Sequence, residues 1–492
     1  MRRARPLSES SPRLLLWLGV LSSAVGMTAL AVLRHRAFNT GRFDLGNMVQ
    51  AVWSTADGRP LRVTDLGGEQ VSRLSAHFDP LLAGLAPLWW LWPSPEALLT
   101  AQAVALALGA LPVFWLGRKH LGSDRPALAF ALAYLLLPPV QWLALDDFHA
   151  VALACPLLLF SLWYLDEERL LPFAAFALAA TAAREEVPLA IAGIGVWYAL
   201  SRGRRRAGVA IAGVAAGMAF VVVGLVLPHF SGGPSNFYGR YSAVGGSPRG
   251  ILETALTDPV RLLEVAFDRR GLAYLLALVL PLAALPLLAP LALVPALPQL
   301  AINLLSDTPT QTSIHFHYTA VLIAPLTAAA VFGAARLQQR GASSEAIAAL
   351  VLAATLVASY RLGPLPLWRS LPGAETLGAR AHEVTPHDRI TERALRLVPE
   401  DAVVSASNSL GAHLSARRRV LSFPLRRDAT WIAVDETRPS HLDRADAPEA
   451  MAAAVARLRR DREWRLVFGR DGVLLFRRRA TTEESPAGAG RR

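Results

Sequence analysis

The sequence predicts a polytopic α-helical membrane protein of about eleven transmembrane helices, followed by a small C-terminal extracytoplasmic α/β domain. Three observations predict it. The 492-residue chain is 53% hydrophobic, with a mean hydropathy of +0.35, a balance that soluble domains rarely carry. Long apolar runs recur at residues 14–33, 97–116, 126–143, 151–165, 208–227, 272–288, 291–305, 320–332 and 346–358. A helix needs ~20 apolar residues to cross the ~30 Å hydrocarbon core, and most of these runs approach or meet that. The apolar pattern then stops near Tyr360.

Taken in order, the first run is too long for a signal-peptide core and lacks a small-residue cleavage site, so it reads as a span. The run at 80–92 is broken by prolines and reads as re-entrant or interfacial. The runs at 170–183 and 187–200 are short and flank Arg184, Glu185 and Glu186, so they read as two short helices meeting at a polar tip. Arg2, Arg3, Arg5 and Arg13 precede the first run, and Arg118, Lys119 and Arg125 follow the second span. Arg202, Arg204, Arg205 and Arg206 form a third basic group, and Arg336 and Arg340 a fourth. An alternating path puts all four in the cytoplasm, with a cytoplasmic N-terminus and the C-terminal domain outside. Membrane topology also accounts for the net charge of +12, which excludes nucleic acid as the partner it would otherwise suggest. Cys155 is the single cysteine, so no internal disulfide forms.

The expected domains are a membrane part, 1–360, with external loops 34–79 and 229–271, then a soluble α/β domain, 361–480. Within the latter, residues 402–406, 419–423 and 430–434 read as short buried strands, and 390–398 and 447–459 as helices. Residues 464–468 and 473–477 flank a Gly469–Gly472 turn and read as a hairpin. Residues 481–492 are a polar tail with the composition of disorder.

The ionisable clusters of the apolar part all fall at the end of the runs opposite the basic groups. Ionisable groups are costly at a membrane bundle, so they read first as a functional site. Asp44 stands where an N-cap would begin an amphipathic helix, and a surface cap is as good a reading of it as a base. His77 and Asp79 precede Pro80 and alternate on an extended segment, so they would point the same way. Asp146, Asp147 and His149 place three ionisable groups in four positions, where a plain turn would use Gly, Asn or Ser. Arg184, Glu185 and Glu186 must face protein, either as a structural ion pair or as a site. His315 and His317 alternate before Tyr318 and would share a face, as a metal pair or as incidental loop histidines. Arg240 and Tyr241 lie in the aromatic loop, suited to a sugar face or a phosphate, or simply to packing on the membrane surface. A divalent cation is compatible with this mixture of carboxylates and histidines, and no other cofactor is implied. There is no phosphate-binding glycine loop, dinucleotide fingerprint, zinc-protease HExxH or GxSxG elbow.

Phe43, Asp44, Gln50 and Trp53, then His77 to Pro80 with Ala86 to Leu88, resemble motifs of a bacterial membrane protein family known as domain of unknown function 2079. Asp147 to His149, Arg184 to Glu186, Asn303 to Ser306, and His317 with Tyr318 extend the likeness, as does the region 405–414. That family resembles the C-type glycosyltransferases, which use polyprenyl-phosphate sugars outside the cytoplasmic membrane. The resemblance implies a glycosyltransferase C-like fold. It also implies inverting hexosyl or pentosyl transfer from a polyprenyl-phosphate sugar donor to an extracytoplasmic glycan, lipid or protein acceptor. The essential acidic residue of the first external loop maps to Asp44, followed here by Leu45 and not by a second acid. His77, Asp79, Asp146, Asp147, His149, Arg184, Glu185, Glu186, Arg240, Tyr241, His315, His317 and Tyr318 are then the substrate-binding candidates.

Two other readings stand beside this one. A transporter or lipid-handling protein would place its polar groups near the midplane and often shows repeats, whereas here they gather at one rim. A mere anchor for the C-terminal domain would not need so many spans or an ionisable rim.

Overall fold

The computed structural model describes residues 10–233, 236–378, 381–444 and 448–479, so the 481–492 tail lies outside the described residues. The chain forms two compact units, Met1–His35 with Ser72–His382, and Arg36–Val71 with Glu383–Arg492. Residues 36–71 thus cluster with the C-terminal region.

The first unit is helical, and it corrects the span count. Among the described residues, five helices are long and apolar enough to cross a membrane: Ser11–Arg36, Pro95–Leu121, Arg205–Ser231, His317–Gln339 and Ser344–Leu362. A sixth is possible if Asp124–Leu136 and Pro138–Leu145, bent by 44°, count as one. The expectation of about eleven is therefore wrong. Proline explains much of the difference. The apolar stretch 272–305 holds Pro281, Pro286, Pro290, Pro295 and Pro298, each removing a backbone donor. In place of two spans it forms a helix Arg269–Val279, then 3₁₀ turns Leu280–Leu282, Leu285–Leu288 and Pro290–Ala296, then a short helix Leu297–Leu304. Freed carbonyls find partners inside the protein: Thr355 donates to Pro281 O at 2.6 Å and Arg336 to Leu288 O at 2.6 Å. Ala150–Asp166 is short and buried nearly all round, a core helix. Leu170–Thr181 and Val187–Ser201 form the expected short pair with Arg184–Glu186 between them.

The surface of this unit is apolar, as lipid requires. On Ser11–Arg36, Leu16, Val20, Ala24, Met27 and Ala31 form a buried stripe, while Leu14, Trp17, Leu21 and Val25 are exposed. Small residues set the close crossing of Val187–Ser201 with Arg205–Val221: a Cβ on Gly195 would lie 2.6 Å from Ala212 N.

The second unit carries a five-stranded sheet. Two short strands, β1 (Arg62–Thr64) and β2 (Gln70–Ser72), pair separately. The sheet strands are β3 (Val404–Ala406), β4 (Val420–Ser422), β5 (Trp431–Asp435), β6 (Trp464–Arg470) and β7 (Val473–Arg478), in the order β4-β3-β5-β7-β6. β4, β3 and β5 run parallel, and β7 joins antiparallel to β5 and β6. Alternation splits the core between two faces. Trp431 and Ala433 pack with Leu395 and Leu410, whereas Ile432 and Val434 pack with Val455 and Leu458. The β6–β7 turn takes positive φ at Asp471 and Gly472, as a tight hairpin turn requires.

Candidate functional site

Between β2 and Pro80 the chain makes a tight turn around a buried ion pair. Arg73 donates from Nε and Nη2 to Asp79 Oδ2, both at 2.9 Å, and both side chains are nearly fully buried. Leu81 N donates to Ala182 O at 2.8 Å, tying this turn to the tip of the short helix pair. There Glu185 accepts twice, from His77 Nδ1 at 2.7 Å and from Phe78 N at 2.9 Å. Arg184 Nη2 approaches His77 Nε2 at 3.3 Å. A guanidinium only donates, so His77 Nε2 must hold the lone pair and Nδ1 the hydrogen. Arg184 Nε lies 3.6 Å from Glu186 Oε1 and is buried with no hydrogen-bond partner among the described residues. His77 and Asp79 therefore turn to different partners and do not act as a pair.

The charge states follow from burial and these neighbours. Burial, reinforced by Arg184, lowers His77 to about 4 against the pull of Glu185. Burial alone would raise Glu185, but His77 and Arg184 outweigh it and hold the carboxyl below its ordinary range. Burial raises Glu186 to about 7, opposed by Arg184 and aided by Glu185. These shifts make a prediction with a definite sign. From pH 4.5 to 7 native Glu186 keeps a proton that the unfolded chain loses, so its contribution falls as pH rises. From pH 4 to 6.5 native His77 lacks a proton that the unfolded chain binds, so its contribution grows with pH. The two slopes, each up to ~1.4 kcal/mol per pH unit, oppose one another. Glu186→Gln should expose the His77 slope, and the melting temperature should then climb with pH between about 4.5 and 6.5 more steeply than in the wild type. An unchanged profile would contradict these assignments.

The network continues along the aromatic loop. The His77 ring stacks on Phe237 at 4.8 Å, and the Arg240 guanidinium lies 4.6 Å from the same ring. Arg240 Nη1 donates to the Tyr318 hydroxyl at 3.4 Å, and its carbonyl accepts from Asp307 N at 2.7 Å. Asp307 also accepts from Ser242 at 2.6 Å, fixing the loop. Burial raises the neighbouring Tyr241 phenol.

Beyond Tyr318 lies a third group. The His317 and His149 rings stack with centroids 3.7 Å apart. Asp146 Oδ2 accepts from His317 N at 2.7 Å and lies 3.1 Å from His317 Nδ1. His149 Nδ1 contacts Asp146 O at 2.8 Å, which puts the hydrogen on Nδ1 and the lone pair on Nε2. One ligand atom from each of Asp146, His149 and His317 lies within 4.8 Å of the others, a cluster able to coordinate a divalent cation. The turn that builds it is constrained. Asp147 has φ +49°, uncommon for a residue with a side chain. Gln102 holds that turn by donating to Asp147 O at 2.6 Å and accepting from His149 N at 2.9 Å.

His315 does not join His317. It contacts Glu375 at 2.9 Å and Ser313 at 2.8 Å, with its ring edge-on to Trp142 at 4.6 Å. Asp44 belongs to the other unit. It lies within a π-helical turn, Arg42–Gly46, that runs into the helix Asn47–Ala56. The expected N-cap is thus occupied by Gly41, three residues earlier. Sequence reasoning missed Arg73, Gln102 and Phe237. Arg73, six residues from Asp79, and Phe237, three residues from Arg240, lay close enough in sequence to be found.

Solved structures that share this fold include two of ArnT from Cupriavidus metallidurans. The one bound to undecaprenyl phosphate covers 96% of this chain and 99% of its own, at 12% identity and a TM-score of 0.53. The apo structure covers 94% and 97%, at 13% identity and 0.52. The likeness is one of fold. No curated protein matches the sequence. The family of predicted membrane proteins described as DUF2079 matches residues 34–475, and the chain belongs to that family.

Proposed function

We propose that the chain is a membrane glycosyltransferase that moves a hexosyl or pentosyl group from a polyprenyl phosphate to an extracytoplasmic glycan, lipid or protein acceptor. The observation that carries this reading is the fold match, over nearly the full length of both chains, to ArnT bound to undecaprenyl phosphate. In the proposed reaction the acceptor oxygen bonds to the anomeric carbon as the bond to phosphate oxygen breaks. Asp44 takes the acceptor's proton, and the polyprenyl phosphate leaves as an anion. Arg184 and Arg240 supply the positive charge that a phosphate leaving group needs, with the Tyr318 hydroxyl beside Arg240. Asp146, His149 and His317 would hold a divalent cation, which would add charge stabilisation for a phosphate oxygen.

Helix direction supports an extracytoplasmic C-terminal domain. Ser344–Leu362 follows the basic Arg336 and Arg340 in sequence, and Ser11–Arg36 follows Arg2, Arg3 and Arg5, so the positive-inside rule puts the first end of each helix in the cytoplasm and its last end outside.

The donor class is tested by binding. Undecaprenyl phosphate should bind the purified full-length chain in native mass spectrometry, and Arg240→Gln should weaken it ~10-fold. Equal retention of undecaprenol, which lacks the phosphate, would overturn the reading.

A further inference from the structure

We propose that Asn408 is a positioning residue for Asp44, acting through the π-helical turn that carries it. The inference rests on the reading of Asp44 as the base. A helix start leaves backbone N–H groups without partners inside the helix. Here the N-cap is Gly41, which has no side chain to offer. The acceptor comes instead from 365 residues away: Phe43 N donates to Asn408 Oδ1 at 3.3 Å. Asn408 is itself held, its N–H donating to Asp443 Oδ1 at 2.8 Å and its amide to Ser440 Oγ at 3.3 Å.

Glycines on both sides let the backbones approach. A Cβ on Gly41 would lie 2.9 Å from Asn408 Nδ2, and one on Gly46 2.5 Å from Ser415 Oγ. From the facing side, a Cβ on Gly411 would lie 2.9 Å from Arg42 Cβ. Arg42, buried to 3% exposure, locks the turn to the sheet. It donates to Val420 O at 3.0 and 2.6 Å, to Ser422 Oγ at 2.8 Å and to Thr64 O at 3.0 Å. The turn closes with Gly46 N donating to Gly41 O at 3.0 Å. π-turns of this kind occur mostly as single turns, often at functional sites. The C-terminal sheet and the helix Asn408–His413 thus form the seat of the turn that carries Asp44.

The test compares Asn408→Ala, Asn408→Asp and Asp44→Asn in the full-length protein. The readouts are transfer from undecaprenyl-phosphate hexoses and pentoses, and hydrogen exchange of segment 42–47. Asn408→Ala should lower kcat by about 10- to 100-fold with KM changed by less than about twofold. It should also speed exchange in 42–47 while β5 and β7 stay protected. Asn408→Asp keeps the acceptor oxygen and should restore most of the loss. Unchanged kcat and exchange in Asn408→Ala would overturn the proposal. So would a loss that Asn408→Asp does not restore, or faster exchange throughout the sheet, since either marks a merely structural role. Full activity in Asp44→Asn would overturn the reading of the base, separately from the exchange result.

Discussion

Asp44→Asn in the full-length protein is expected to lower sugar transfer by ~10²–10⁴-fold while leaving the melting temperature unchanged. The substitution keeps the size and one oxygen of the side chain but removes its ability to take a proton. The backbone around it is held by Arg42 and Asn408, which the change leaves in place. The loss should therefore appear in kcat, with KM little altered. Purified wild type and variant, assayed with the same polyprenyl-phosphate sugar, give the comparison. Full activity in the variant would remove Asp44 from the mechanism.

Arg73→Leu should destabilise the membrane unit by ~3–5 kcal/mol, because it leaves the Asp79 carboxylate buried without its cation. Asp79 is 1% exposed and receives two hydrogen bonds from Arg73 Nε and one contact from Nη2. The pair itself contributes less than its rupture costs, since both charges were taken out of water to make it. The double variant Arg73→Leu with Asp79→Leu should accordingly recover most of the lost stability. Denaturation in detergent measures both. A single variant as stable as the double would contradict this account of the turn. The consequence reaches the site, because the same turn presents His77 and Phe78 N to Glu185.

What could be read from the sequence was what is local. The strands of the C-terminal sheet show in their apolar runs and in the Asp471–Gly472 turn, and the structure places them within a residue or two of expectation. The polar tip at Arg184–Glu186 showed as a break between two runs too short to span. The span count failed where composition does not report helix length. Residues 272–305 are apolar enough for two spans, yet their prolines divide them into 3₁₀ turns whose backbone is satisfied by Thr355 and Arg336. The site partners were hidden for a different reason. His77 meets Glu185 across 108 residues and His317 meets Asp146 across 171, so periodicity carries no trace of either. Alternation suggested the pairs His77 with Asp79 and His315 with His317, and in both cases a distant acid competes successfully for the imidazole. Asp44 was singled out, but the bonds that tie its turn to the sheet and to Asn408, from Arg42 to Val420 O and from Phe43 N to Asn408, span 378 and 365 residues.

The most direct test of the central claim is donor turnover in sealed, right-side-out membrane vesicles. Undecaprenyl-phosphate hexoses and pentoses are supplied from outside, and the lipid products are followed by mass spectrometry. Sugar transfer predicts that undecaprenyl phosphate accumulates in step with loss of one donor, in the wild type and not in Asp44→Asn. Donor that stays intact, or that crosses the bilayer with its sugar still attached, would contradict the glycosyltransferase reading. Turnover confined to inside-out vesicles would contradict the extracytoplasmic site.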